Sequence, residues 1–576
     1  SVFARPREIE DPGRVSRLLS RALDKSRSEL ESRVQRDADF LWIERKIGDR
    51  AAANIRTLDL KGIYLTEESR RIYPQGRLAG QLLGFVGMDG HGLEGLELEF
   101  DSRLAGEKRQ LLVQRDAYGR VLYAPGELSG RLSGEDLVLT LDTRVQYGAE
   151  KAVKRAVRKY GADYGMALVV KVDNGHILAS AQYPFFDPNN FRRYSPRIWR
   201  HRAALDPFEP GSTAKPFLVA AALEEGICAP QSIYFCENSQ WRVEGEIIED
   251  SHAYGWLPVR KIIKYSSNIG AGKIGLDLQA KPYYTYLERL GLGRETGLPF
   301  PSENEGILRD PNRWNRFELV SSSFGQGFSL NLYQMARAYL CLANKGVYRP
   351  LRLVAEPSLK RREPEQIFSR QTGKQILGML ESVVEDNGTG TRADIERVSL
   401  GGKTGTAQKA QAEGGYGEQY IAAFAGLLPA KDPEYLLLAV VENPSESHYG
   451  GVVAAPAVRS MGRTVLTHSE EFRDRMPETL YAENSTRDRE KAKGQELVTE
   501  REPERAKKRD FGSGVPDVRG MALRSALELL AKNGVVPRVK GTGTVVAEQS
   551  PEPGSSWGAS EAVLRLASPG RAARAN

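Results

Sequence analysis

The apolar positions change their period along the chain, and those changes divide it. Residues 15–34 carry Leu18, Leu19 and Leu23 at helical spacing among charged neighbours, which predicts one amphipathic helix. From residue 136 strand and helix patterns alternate: 137–142 reads as a strand, 145–160 as a long basic-faced helix, and 167–172 and 177–181 as two strands around Asp173-Asn174-Gly175. An Asn-Gly turn between two such runs predicts an antiparallel hairpin. The apolar run 217–223, closed by Gly226, reads as a buried helix starting near Ser212, and 259–265 as another, followed by the small-residue run 269–275. Gly401-Gly402 opens what reads as an edge strand. Together these predict a sheet covered by helices on its faces, of the α+β or α/β kind.

The outer thirds differ. Glycines crowd Leu83-Gly84-Phe85-Val86-Gly87 and Gly92-Leu93-Glu94-Gly95-Leu96-Glu97, after Arg70-Arg71-Ile72-Tyr73-Pro74, and mark tight turns in either a docking module or a connecting scaffold. Residues 467–512 lose apolar periodicity for a charge-rich tract that cannot bury enough surface to fold and reads as a flexible tether. Beyond it, a helix over 522–533 stopped by Gly534 and strands near 535–539, 545–548 and 563–566 predict a small separate module.

Composition narrows the function. A length of 576 residues predicts three or four domains. The net charge of +7 is small and interspersed, with no dense Lys/Arg stripe, which argues against nucleic acid as the main ligand. Cys228, Cys236 and Cys341 have no metal-ligand spacing, so no metal is expected; the first two could bridge or be buried thiols. No stretch of eighteen apolar residues spans a membrane. The sequence begins at Ser1 in mid-pattern, and an N-terminal anchor or signal is expected upstream.

The candidate chemistry lies in Glu209-Pro210-Gly211-Ser212-Thr213-Ala214-Lys215-Pro216. Positions three apart share a helix face, so Lys215 can reach back to Ser212. A serine hydroxyl is a poor nucleophile until a base takes its proton, and a desolvated lysine near another cation can be that base. Alone, the stretch also reads as a serine N-cap followed by a solvated lysine. Ser266-Ser267-Asn268 lies 54 residues downstream at the end of a predicted helix, and Lys403-Thr404-Gly405 follows on the predicted edge strand. The three segments support one another.

The ordered set SxxK, SxN, KTG resembles penicillin-binding proteins and serine β-lactamases. The chain is more specifically similar to class B penicillin-binding proteins of the septal type, through these motifs and through Leu139-Thr140-Leu141-Asp142, Gly325-Gln326-Gly327 and Tyr449-Gly450-Gly451. The C-terminal segment, with Gln549-Ser550-Pro551-Glu552-Pro553-Gly554, resembles one PASTA module. The resemblance implies a multidomain α+β protein: an extended pedestal over 1–133, a transpeptidase domain over 134–466 with an antiparallel sheet covered by helices, the linker 467–512 and an α/β PASTA module over 513–568.

It also implies roles. Ser212 would attack the penultimate D-alanine of a D-Ala-D-Ala stem peptide. Lys215, kept neutral by burial and by the charge of Lys403, would take the proton. Ser266 would relay a proton to the leaving amine, Asn268 would hold a substrate amide, and Lys403, Thr404 and Thr406 would bind the terminal carboxylate. Backbone N–H groups of Ser212 and Thr406 would form the oxyanion hole. Gly405 would lack a side chain so that substrate can lie along the strand. No Glu-x-x-x-Asn pair that would activate water occurs between the second and third motifs, which argues against hydrolysis of antibiotic. No cofactor is expected. Expected partners are stem peptides, β-lactams as covalent inhibitors, a membrane glycan polymerase and other division proteins. Expected localisation is the bacterial cytoplasmic membrane, by an N-terminal helix not in this sequence, with the catalytic domain outside. The alternatives are a D,D-carboxypeptidase or β-lactamase-like hydrolase, and a non-catalytic wall sensor or division scaffold.

Overall fold

The computed structural model describes residues 1–106, 114–115, 121–123, 134–355, 363–410 and 415–468, and in the C-terminal module 515–521, 523, 526, 529–530, 537–540, 545–555 and 562–567. The chain divides into two units, 1–476 and 477–576.

The N-terminal part opens with strand β1 (Val2–Ala4), followed by helices α1 (Pro12–Leu23) and α2 (Arg27–Val34), strand β2 (Leu41–Glu44), helix α3 (Asp49–Leu58) and strand β3 (Ile63–Leu65). The strands pair antiparallel in the order β2-β1-β3. Val2, Ala4 and Ile43 pack with Val15, Leu19, Leu30, Val34 and Ile55 in a small core. The single helix expected over 15–34 is two. Asp24 adopts φ 51°, a left-handed conformation that ends α1, and Ser26 starts α2. A left-handed aspartate needs no glycine or proline, so nothing in the sequence marks the break.

The central part begins with α4 (Thr143–Lys159), capped by Asp142, whose carboxylate accepts from Arg144 and Val145 N–H. Strands β4 (Tyr164–Lys171) and β5 (Ile177–Tyr183) form the expected hairpin. Helix α5 (Lys215–Glu224) follows the Ser212 turn, and two short ribbons come next: β6 (Ile233–Phe235) pairs with β9 (Trp256–Pro258), enclosing the hairpin β7 (Gln240–Val243) and β8 (Glu246–Glu249). Helices α6 (Val259–Tyr265), α7 (Asn268–Leu278), α8 (Leu332–Ala343) and α9 (Arg370–Val384) lead to strands β10 (Gly401–Ala410), β11 (Tyr416–Leu428) and β12 (Tyr435–Glu442), and helices α10 (Gly450–Val453) and α11 (Ala455–His468) close the unit.

One antiparallel sheet in the order β10-β11-β12-β4-β5 organises this part, with β10 at the edge as its glycine entry predicts. Its strands alternate at period two between two cores. Met166, Leu168 and Val170 face the side occupied by α5 and α8, while Ala167 and Val169 face α4 and α11. With both faces covered, β12 is buried at every position and reads as a continuous apolar run up to Glu442. Among the described residues no helix is long and apolar enough to cross a membrane.

In the C-terminal unit, β13 (Arg538–Lys540), β14 (Val545–Ser550) and β15 (Val563–Ala567) form a sheet in the order β13-β15-β14, with a core of Val518, Ala526, Leu530, Val546 and Leu564. The second and third expected strands are present within a residue or two; of the first, 535 and 536 lie outside the described residues and a strand is present from Arg538. The expected tether lies outside the described residues except for 467 and 468, which end α11; most of the helix expected over 522–533 also lies outside them.

Candidate active site

Ser212 sits in a 3-10 turn, Gly211–Ala214, and the α-helix proper begins at Lys215. The onset is three residues later than the apolar run suggests, because Gly211 takes φ +51° and the chain tightens before Pro216 at N2. Gly211 N–H donates to Gly325 O at 2.9 Å, and a Cβ on Gly325 would lie 2.0 Å from Gly211 O. The Gly325-Gln326-Gly327 loop therefore braces the turn from one side. Tyr339, on α8, braces it from below through its hydroxyl, which donates to Thr213 O at 2.6 Å.

The edge strand braces it from the other side. A Cβ built on Gly405 would lie 2.7 Å from Thr213 Cγ2 and 3.1 Å from Pro210 O. The glycine thus makes room for the Ser212 turn and seats it against β10, a packing reason for Gly405 beside the expected one of a substrate lying along the strand. Gly450 packs on the same strand, where a Cβ would come within 2.3 Å of Gly405 O, and its N–H donates to Thr406 Oγ1 at 3.1 Å.

The second motif joins two helices. Ser266 ends α6 in the left-handed region at φ 62°, Ser267 caps α7 by accepting from Gly270 N–H at 2.9 Å, and Asn268 is the first residue of α7. Asp250, at the end of β8, holds this junction. Its carboxylate accepts from Ser267 Oγ, from Asn268 N–H and, at 3.2 Å, from Ile269 N–H. Asn268 Nδ2 donates to Glu249 O at 2.9 Å.

The two lysines converge on Ser266, and both are fully buried. Lys215 Nζ donates to Ser266 O at 2.5 Å and to Asn268 Oδ1 at 2.8 Å, with Ser266 Oγ at 3.3 Å. Lys403 Nζ donates to Ser266 Oγ at 2.8 Å and to Thr404 O at 3.1 Å. Burial pushes Lys215 down to about 7, while Asp250 and then Cys236 pull it upward. Lys403 is held well below its ordinary value by burial and then by the charge of Lys215. The expected cause for Lys215 is thus half right: burial lowers it, but the charge it feels most is that of Asp250, which raises it, and the like-charge effect falls on Lys403.

A neutral amine has two N–H donors and one lone pair. Lys215 spends its donors on Ser266 O and Asn268 Oδ1, which leaves the lone pair for a hydroxyl. Ser266 then accepts from Lys403 and can donate to Lys215. The expected direct Lys215 to Ser212 bond is replaced by this arrangement, with Ser212 one turn away and its hydroxyl without a hydrogen bond among the described residues. Thr404, nearly buried, reaches Thr389 Oγ1 at 3.0 Å.

The structure thus brings Ser212, Lys215, Ser266, Asn268, Lys403, Thr404, Gly405 and Thr406 into one region. Sequence reasoning missed Asp250, Thr389 and Tyr339; none stands at a fixed spacing from a motif, and only folding makes them neighbours. Asp206 pairs locally with Arg200 and Arg202, His201 is buried against Tyr333 at 3.0 Å, and His252 is exposed. All three cysteines are buried and free. Among the described residues no group of His, Cys, Asp and Glu could hold a metal ion.

Residues 165–461 match the family described as penicillin binding protein transpeptidase domain, residues 1–139 the penicillin-binding protein dimerisation domain and residues 514–563 the PASTA domain. The chain belongs to the class B penicillin-binding proteins. Peptidoglycan D,D-transpeptidase FtsI of Escherichia coli strain K12 is 33% identical over 475 residues, covering 81% of this chain and 80% of that protein. Stage V sporulation protein D of Bacillus subtilis is 32% identical over 580 residues, covering 96% and 85%. The apo transpeptidase domain of penicillin-binding protein 3 from Burkholderia pseudomallei superposes with TM-score 0.53 at 32% identity, covering 57% of this chain and 96% of that one. In this penicillin-binding protein the family matches overlie the pedestal, sheet and C-terminal module described above.

Proposed function

We propose that this chain is a serine-type peptidoglycan D,D-transpeptidase acting in septal wall synthesis, with Ser212 as nucleophile. The observation that carries the assignment is the pair of fully buried lysines sharing Ser266 Oγ beside the Ser212 turn. Two buried ammoniums in contact with one hydroxyl cannot both keep their charge, so the pocket holds a base ready at neutral pH.

Ser212 Oγ attacks the carbonyl carbon of the penultimate D-alanine, and its proton passes to Lys215 Nζ. The oxyanion is held by the N–H groups of Ser212 and Thr406. As the tetrahedral centre collapses, the C–N bond to the terminal D-alanine breaks and the leaving amine takes a proton through Ser266. Lys403, Thr404 and Thr406 grip the terminal carboxylate, while Asn268 orients the peptide. An amine from a second stem peptide then attacks the Ser212 ester, a C–N bond forms as the acyl C–Oγ bond breaks, and the proton lost by the amine returns to Ser212 Oγ. β-Lactams acylate the same serine.

An N-terminal membrane helix preceding this sequence would hold the catalytic unit outside the cytoplasm, next to a glycan polymerase and other division proteins. Incubation with uncross-linked glycan strands tests the reading: the protein is expected to release D-alanine and form cross-linked dimers in equal amounts, and Ser212→Ala to do neither. Release of D-alanine without dimers would favour a carboxypeptidase instead.

A further inference from the structure

The ribbon of β6 and β9 leaves one face uncovered next to the second motif. Cross-strand partners Phe235 and Trp256 place their rings 5.2 Å apart on it, and Trp256 is 65% exposed. So large an indole in water is unusual in a folded chain. His252, Tyr254 and Trp256 alternate along the segment entering β9. Tyr254 lies 5.9 Å from His252 and stacks on Tyr265 at 5.5 Å and 9°, and Tyr265 is bonded directly to Ser266. A broken line of rings therefore leads from the proton relay outward to the ribbon.

We propose that this aromatic track binds the sugar backbone of the substrate, one N-acetylhexosamine ring seated over Trp256 and a neighbour towards His252. The inference rests on the transpeptidase reading, which supplies a polymer of sugars carrying the reacting peptides. Pyranose rings present a C–H face that packs on an aromatic plane and a polar rim that needs hydrogen bonds. The track offers both, because the Lys273 to Glu237 ion pair lies beside Phe235, with Lys273 Nζ 5.6 Å from the ring centre. The track is also narrow. A face of two three-residue strands is far smaller than the ~800 Å² per partner of a stable protein interface, so a single polymer strand fits it and a folded partner does not. Its inner end, Tyr254 stacked on Tyr265, adjoins Ser266 in the chain, which places the track beside the cleft that the reacting peptide must reach.

The test compares wild type with Trp256→Ala and His252→Ala, both exposed positions whose truncation leaves the core intact. Acylation by penicillin, which carries no sugar, is expected to stay within about twofold and certifies the fold. KM for uncross-linked glycan strands is expected to rise about tenfold in Trp256→Ala at unchanged kcat, Trp256→Phe to recover most of it, and a sugar-free pentapeptide ending in D-Ala-D-Ala to be used equally by all. Chitotetraose should give saturation-transfer NMR signals with wild type that weaken in Trp256→Ala. Wild-type KM for glycan strands in both alanine variants, or equal transfer to wild type and Trp256→Ala, overturns the track. A wild-type protein that cross-links nothing overturns the transpeptidase reading instead.

Discussion

Asp250 sets the geometry of the second motif and the electrostatics of Lys215, and through them the proposed relay. Its carboxylate satisfies the first N–H groups of α7 and the Ser267 hydroxyl, and its charge raises Lys215 against the effect of burial. Because Lys215 must be neutral to take a proton, acylation should rise with pH through about 7 and level off above it. Asp250→Asn removes the opposing charge, so the midpoint of that rise should move to lower pH. It also disturbs the bonds at the start of α7, so the plateau rate should fall on the order of tenfold. Stopped-flow acylation from pH 5.5 to 9 reads both; an unmoved midpoint would contradict the role given to Asp250. The same two lysines set a stability trend. Their folded pKa values lie below the unfolded ones, so the unfolded chain binds more protons above pH 7, and stability should increase with pH from about 7 to 10 as far as these groups decide it. Replacing Lys403 by methionine should flatten that trend in urea titrations.

At the level of elements, the site depends on close packing between the Ser212 turn and the edge strand. Gly405→Ala places a methyl 2.7 Å from Thr213 Cγ2, and a displacement of the turn by a fraction of an ångström should slow acylation on the order of a hundredfold. Thr213→Ser removes that methyl, so the double variant should recover part of the loss, whereas additive losses would show that Gly405 acts elsewhere. The three motifs were legible in the sequence because their chemistry restricts residue type and order, and the hairpin of the sheet was legible because 167–172 and 177–181 are short apolar runs on either side of an Asn-Gly turn. What was not legible is what meets across space. Thr213 against Gly405, Tyr339 under the turn and Asp250 at α7 are contacts between segments distant in the chain, and no local period records them. The split of 15–34 into α1 and α2 was hidden for a different reason, since Asp24 takes a left-handed conformation that its sequence does not demand.

Across the whole molecule, the catalytic unit is complete before the C-terminal module begins. Every residue assigned to the site lies within 1–476, and the two cores that position it are built from that unit alone. A chain ending at residue 476 should therefore acylate with penicillin at a rate within about twofold of the full chain. The pedestal is tied to the catalytic part by buried polar contacts, including Ala79 N–H to Glu150 at 2.8 Å and Gln81 Nε2 to Pro184 O at 2.7 Å. Those bonds make the N-terminal part a brace for the catalytic part.

The most direct measurement is intact-protein and peptide mass spectrometry after exposure to labelled penicillin. The account predicts one adduct per chain, located on Ser212, persisting for hours and absent from Ser212→Ala. An adduct on another residue, or label that is released as hydrolysed drug within seconds, would contradict it.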